Sequence, residues 1–139
     1  MIIYLASRYD RLVEMNGYAD RLRQAGHVIS SRWLDGTHQL HPGIEHLSTG
    51  GFTEDSDGVP MAALPFGKDD VADIKASDTL VFFAERPESH SKRGGRHVEF
   101  GIALALGKRI MVVGPRENIF HCLPQIERYA SFEKVVEAL

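Results

Sequence analysis

The sequence predicts an α/β fold: a parallel sheet of four to five strands with helices on both faces. Short apolar runs alternate with segments of helical spacing along most of the chain. Those runs are almost continuously apolar, as strands buried on both faces must be, rather than alternating apolar with polar. A length of 139 residues, 43% of them hydrophobic and 25% charged, predicts one domain over residues 1–139 with a real core and argues against disorder.

The elements follow in order. Ile2 to Ala6 (IIYLA) is a short apolar run suited to a buried strand. Asp10 to Gln24 has helical spacing through Leu12, Val13, Tyr18, Ala19 and Leu22, and Gly26 is placed to end it. Val28 to Trp33 (VISSRW) reads as a second strand. Leu34 to Pro65 is rich in glycine, proline and histidine and holds no sustained period, which marks a functional loop with room for one short helix. Pattern returns with a helix over Lys68 to Ser77 and the clearest strand of the chain, Asp78 to Ala84. Glu85 to Gly95 is a polar loop, Arg96 to Leu106 a helix ended by Gly107, and Arg109 to Val113 a strand closed by Gly114-Pro115. Gln125 to Ala130 reads as a short edge strand, and Ser131 caps a last helix over Phe132 to Leu139.

Charge and composition exclude several function classes. A net charge of −3 lacks the basic surplus that a polymeric nucleic acid requires, although a local basic cluster can still hold one phosphate. No apolar run approaches the roughly 20 residues that span a bilayer, so no membrane partner is expected. The first residues have no basic region ahead of their apolar run and read as a strand rather than a signal peptide. The single Cys122 allows neither a disulfide framework nor a cysteine zinc site, and the default location is the cytoplasm. Neither a metal nor a cofactor is expected. His38, His41 and His46 match no ligand spacing, and the loop after the first strand has no dinucleotide fingerprint and no P-loop.

In an open parallel sheet, ligands bind outside the carboxyl ends of the strands, which selects the loops after Ala6, Trp33, Ala84 and Val113. Glu99 is the one charge between Val98 and Gly107. Ile102, Ala103 and Leu106 continue its side of the helix, and Val98, Ile102, Ala105 and Leu106 extend a broad apolar face. The helix start favours a negative charge, and Gly94-Gly95 lets a ligand approach the backbone. A carboxylate held ionised and partly desolvated there is suited to nucleophilic work; the alternative is a helix-dipole partner or an ion pair with Arg96. Asp70 lies near the start of a helix antiparallel to the next strand, hence at the carboxyl edge. It is better placed than Asp73, and much better than Asp78 at the amino end. Tyr4 in the first strand is either core or the hydroxyl partner of a carboxylate. Lys92, Arg93 and Arg96 around two glycines form either a single-phosphate site or a solvated loop. Trp33, with His38, is a candidate to meet a base, against the commoner packing role of a tryptophan, and Cys122 reads as structural.

Three blocks carry a family resemblance: Ile3-Tyr4-Leu5, the D-x7-D-T-L-V block from Asp70 to Val81, and the G-x-x-V-E-F-G-x-A-x-A-L-G-K-R block from Gly95 to Arg109. Together they resemble the nucleoside 2-deoxyribosyltransferase family, which includes deoxynucleoside 5′-monophosphate N-glycosidases. The resemblance implies a flavodoxin-like, Rossmann-like fold that cleaves or transfers at the N-glycosidic bond of a nucleoside or its 5′-monophosphate. It implies Glu99 as nucleophile on the anomeric carbon, Asp70 as the group that protonates the leaving base, and Tyr4 as the residue that orients the glutamate. Ser7 and Arg8 after the first strand, and Arg93, Gly95 and Arg96 before the glutamate, fall at substrate-binding positions. Family members complete the site from a neighbouring subunit, which implies a homodimer or higher homo-oligomer. Asn118 in the matching segment Arg116 to His121 is the candidate there.

Two departures stand out. The position six before Glu99 is Arg93, where the family often has a small hydroxyl residue, and Ala6-Ser7-Arg8 is less glycine-rich than in the nearest relatives. The altered basic loop favours an alternative: a catalytically inactive nucleotide-binding module on the same fold.

Overall fold

The structure, a computed structural model, describes residues 1–36, 64–86 and 94–139. Five strands, β1 (Ile2–Ala6), β2 (Val28–Ile29), β3 (Thr79–Phe83), β4 (Arg109–Val113) and β5 (Ile126–Tyr129), form one sheet in the order β2-β1-β3-β4-β5. Every neighbouring pair is parallel. Among the described residues four helices, α1 (Leu12–Gln24), α2 (Leu64–Ala76), α3 (Gly95–Ala105) and α4 (Phe132–Ala138), cover it. The predicted α/β class and strand count are observed.

The faces follow from strand alternation. Ala6 pairs with Phe82 and Tyr4 with Leu80, so these four side chains share one face. There Phe82 meets Phe100 of α3 edge-on, and Tyr4 reaches Glu99 of the same helix. On the other face, Tyr18 of α1 stacks on both Phe83 and Phe132 of α4, and those two rings also meet, 6.1 Å between centres. All five residues of β3 are buried, as the central strand of a doubly covered sheet requires.

Helix α1 buries Met15, Ala19 and Leu22, one stripe at helical spacing. Its end is a Schellman motif: Gly26 N–H donates to Arg23 O at 3.0 Å and His27 N–H to Leu22 O at 3.0 Å, with Gly26 at φ 89. Helix α3 ends the same way at Gly107, φ 66, with Gly107 N–H on Leu104 O and Lys108 N–H on Ala103 O.

Three predicted features are corrected. The second strand stops at Ile29 instead of running to Trp33, because side chains replace its ladder. Ser31 Oγ accepts from Leu5 N at 2.7 Å, and Trp33 Nε1, in a 3-10 turn over Arg32–Asp35, donates to Leu5 O at 2.8 Å. Trp33 is buried in that role, which is packing and not an open stacking platform. The buried stripe of α3 is Arg96, Phe100 and Ala103, whereas Val98 and Leu106 are exposed at 63% and 45%. Helix α2 begins at Leu64, four residues earlier than predicted, with Pro65 in its first turn where a missing N–H costs nothing.

Candidate active site

The strand order reverses beside β1: its chain neighbour β2 lies on one side and β3 on the other. The loops that leave β1 and β3 therefore diverge and open a crevice at the carboxyl edge, the usual ligand position of such sheets.

Tyr4, fully buried in β1, directs its hydroxyl at α3 and donates to Glu99 Oε1 at 2.8 Å. Burial, followed by the charges of Glu99 and Asp70, pushes the tyrosine well above its ordinary range, so it remains a protonated donor. Glu99 is the fifth residue of α3, one residue deeper than the sequence suggests, and burial raises its carboxyl to about 8. Asp70 raises it further, while the Tyr4 hydrogen bond and the Arg96 charge pull it down. In the ligand-free protein, desolvation thus opposes the ionised form that the Tyr4 hydrogen bond and the Arg96 charge favour.

Asp70 of α2 acts electrostatically on both Tyr4 and Glu99, so the three predicted catalytic residues share one locality. The competing aspartates are committed elsewhere. Asp73 is buried and accepts from Arg32 N at 2.9 Å and Arg32 Nε at 2.8 Å, and Asp69 takes Arg32 Nη1 at 2.9 Å. Asp78 accepts from Ile2 N at 2.7 Å at the amino end of the sheet.

Around this trio, Ser7 follows β1 directly, and its hydroxyl is buried without a hydrogen-bond partner among the described residues. Arg8 pairs with Asp10. Gly95 opens α3, and a Cβ built on Gly94 or Gly95 meets no described atom within 4 Å. Arg93, together with Lys92, lies outside the described residues, as do His38, His41 and His46.

Arg96 is not a free cation. Its Nη2 donates to Glu117 Oε2 at 2.8 Å and Oε1 at 3.1 Å, and Nη1 lies 2.6 Å from His97 Nε2. The guanidinium carbon sits 5.4 Å from the centre of the Phe82 ring. Glu117 also accepts from the backbone N–H of Glu85 just past β3, so one carboxylate joins three carboxyl-edge segments. Asn118 caps the following 3-10 turn by accepting from Phe120 N at 3.0 Å, and its amide lies 3.5 Å from both His97 Nδ1 and His121 Nε2. Burial, then the neighbouring His97 and Arg96, lowers His121 to about 4; burial and Arg96 also lower His97. Sequence reasoning missed Glu117, His97 and His121. No local spacing links Arg96 to Glu117, which meet only when the sheet brings the two loops together.

No protein-family model and no curated protein sequence matches the chain. Among solved structures, it is similar to a 2-deoxyribosyltransferase from the psychrotolerant bacterium Bacillus psychrosaccharolyticus, with a TM-score of 0.65 and 20% identity. That match covers 97% of this chain and 90% of the other. It is also similar to a CMP N-glycosidase of Clostridium botulinum, with a TM-score of 0.55, 16% identity, and coverage of 99% and 97% of the two chains. At these identities the likeness establishes the architecture: the chain shares the parallel α/β fold of these two proteins over almost its whole length.

Proposed function

We propose that this protein cleaves, or transfers at, the N-glycosidic bond of a nucleoside or its 5′-monophosphate, with Glu99 as nucleophile, Asp70 as acid and Tyr4 as orienting donor. The observation that carries the reading is the 2.8 Å hydrogen bond from Tyr4 to Glu99, made at the carboxyl edge within the field of Asp70. The activities named for the two similar structures, a 2-deoxyribosyltransferase and a CMP N-glycosidase, support it.

The chemistry follows from the groups. An ionised Glu99 Oε attacks the anomeric carbon as the bond to the base nitrogen breaks. The bonding pair leaves with the base, and Asp70 supplies the proton that makes the base a better leaving group. Water or a second base then attacks the sugar–glutamate ester, its proton passes to Asp70, and the Glu99 carboxylate is released. Burial is the main reason the Glu99 carboxyl is raised, and the nearby Asp70 charge adds to it.

The orphaned Ser7 hydroxyl suits a sugar or phosphate oxygen, and Gly95, which has no side chain, suits close approach. Arg8 and Arg93 are the candidate partners for a 5′-phosphate. Arg96 enters through its Glu117 pair rather than as a free ligand. We also propose that a homodimer or higher oligomer brings Asn118 to a neighbouring site. Ile119 and Phe120 beside it are 78% and 54% exposed, available to such a contact. The cytoplasm is the proposed location.

Incubation with each nucleoside and each monophosphate, followed by chromatography for free base, tests the reading. Base release lost in Glu99→Gln supports it; no release by the wild type, or equal release by the variant, overturns it. One observation favours a second reading: the basic loop ahead of α3, with Arg93 where the family often has a small hydroxyl residue, suits a nucleotide-binding module without catalysis. That module predicts thermal stabilisation by a nucleotide with no base released.

A further inference from the structure

Arg96 is the one arginine or lysine buried among the described residues, and nothing in the proposed chemistry uses its charge. Taking a guanidinium out of water is costly, and a buried ion pair repays little of that in stability compared with well-packed apolar side chains. Such a pair therefore asks for another account. Its position supplies one. Arg96 and Glu99 are spaced i, i+3 on α3, so they are neighbours on one helix side, about 5–6 Å apart at Cβ. The guanidinium is fixed by both Glu117 oxygens and by the Phe82 ring, and Glu117 is fixed in turn by the Glu85 N–H. The first turn of α3, the end of β3 and the β4–β5 loop are thus tied at one point. Among the described residues Arg96 Nε has no partner, and the fork is engaged there through its two terminal nitrogens.

We propose that Arg96, held by Glu117, is a positioning residue for Glu99: it locks the first turns of α3 against the ends of β3 and β4 and keeps one positive charge a turn away from the carboxyl, with Glu117 offsetting part of that charge. The proposal rests on Glu99 being the working carboxyl of the site. The groups that act on Glu99 are Tyr4 from β1, Asp70 from α2 and Arg96 from its own helix. Of these, only Arg96 is cationic, and it is the one whose charge a second residue directly offsets.

The test reads Glu99 itself. Glutamate side-chain carboxyl carbons are labelled with carbon-13, the Glu99 signal is assigned by its loss in Glu99→Gln, and its titration midpoint is followed in the free protein. Arg96→Met is expected to move the midpoint up by about one unit, and Glu117→Gln to move it down, because the guanidinium is then unopposed. Arg96→Lys, which keeps the charge but loses the bidentate fork, is expected to stay nearer the wild type than Arg96→Met. A purely structural pair predicts lower melting temperatures with the midpoint unmoved, or moved the same way in both single variants, and either result overturns the proposal. If the single variants do not fold, the double variant Arg96→Met/Glu117→Leu, which removes both charges together, carries the test: a raised midpoint supports the proposal and an unmoved one overturns it. Because no substrate is needed, this outcome is separate from the fate of the N-glycosidic reading. A wild type that releases no base defeats that reading and leaves the titration result standing.

Discussion

Tyr4 and Glu99, ninety-five residues apart in sequence (|i−j| = 95), meet through a 2.8 Å hydrogen bond in which the tyrosine donates. The strand supplies a rigid, fully buried origin for the hydroxyl, and the helix supplies the acceptor. The bond favours the ionised carboxylate, opposing burial and the Asp70 charge. Tyr4→Phe keeps the ring and its packing but removes the donor. The midpoint of Glu99 is expected to rise above about 8 and the pH–rate profile to move to higher pH. Base release at neutral pH should fall roughly 10- to 100-fold, the worth of a hydrogen bond to a charged group. An unmoved profile would show that the hydroxyl only fills space.

The raised Glu99 carboxyl also predicts how stability depends on pH. Its folded value, about 8, lies above the ordinary 4.5, so the folded protein binds the proton more tightly than the unfolded chain. Stability from this group is complete below about 4.5 and is lost as pH rises towards about 8. The buried His121, lowered to about 4, has the opposite sign below its ordinary 6.5, since the unfolded chain then takes the proton first. Comparison with Glu99→Gln cancels the histidine contribution. The unfolding free energy of the variant minus that of the wild type should grow across this window and level off above about pH 8, with a plateau on the order of a few kcal/mol, and the melting temperatures should diverge in the same direction. Thermal melts between about pH 5 and about pH 9 check it, and a flat difference would contradict the burial of Glu99.

The edge of β1 carries a prediction about stability alone. Where β2 ends, Ser31 Oγ takes over the N–H of Leu5 and Trp33 Nε1 takes over its carbonyl. Ser31→Ala leaves a buried backbone N–H unpaired and is expected to cost about 1–3 kcal/mol, read as a lower urea midpoint with an unchanged m-value. A loss well below that range would mean that water or a neighbouring group satisfies Leu5 instead.

The same corner shows where the sequence is legible. Apolar runs identify β1, β3 and β4, and helical spacing with terminal glycines identifies α1 and α3, because those signals are local and periodic. VISSRW looks like a strand by composition, yet side-chain hydrogen bonds end it after two residues; no local pattern encodes that substitution. At the site, helix polarity and the sheet-edge rule suffice to prefer Asp70 over Asp73 and Asp78, and the structure commits the other two to Arg32 and Ile2. Arg96 was legible as a charge near the site. Its partner Glu117 was not, since the pair spans two loops joined only through the sheet.

The division of labour between the carboxylates can be tested through the leaving group. If Asp70 protonates the departing base, Asp70→Asn removes that proton and should slow release from an ordinary nucleoside by about 10²- to 10⁴-fold. The same substitution removes the negative charge that helps raise Glu99, so its carboxyl should ionise at lower pH. The two effects separate with a substrate whose base leaves without protonation, such as a purine nucleoside already methylated and cationic at N7. Asp70→Asn should then lose much less, and its pH–rate profile should lie below that of the wild type by the amount that Asp70 lifts Glu99. An equal loss on both substrates would assign Asp70 to positioning rather than to acid catalysis, and Glu99→Gln, tested in parallel, should remain inactive on both.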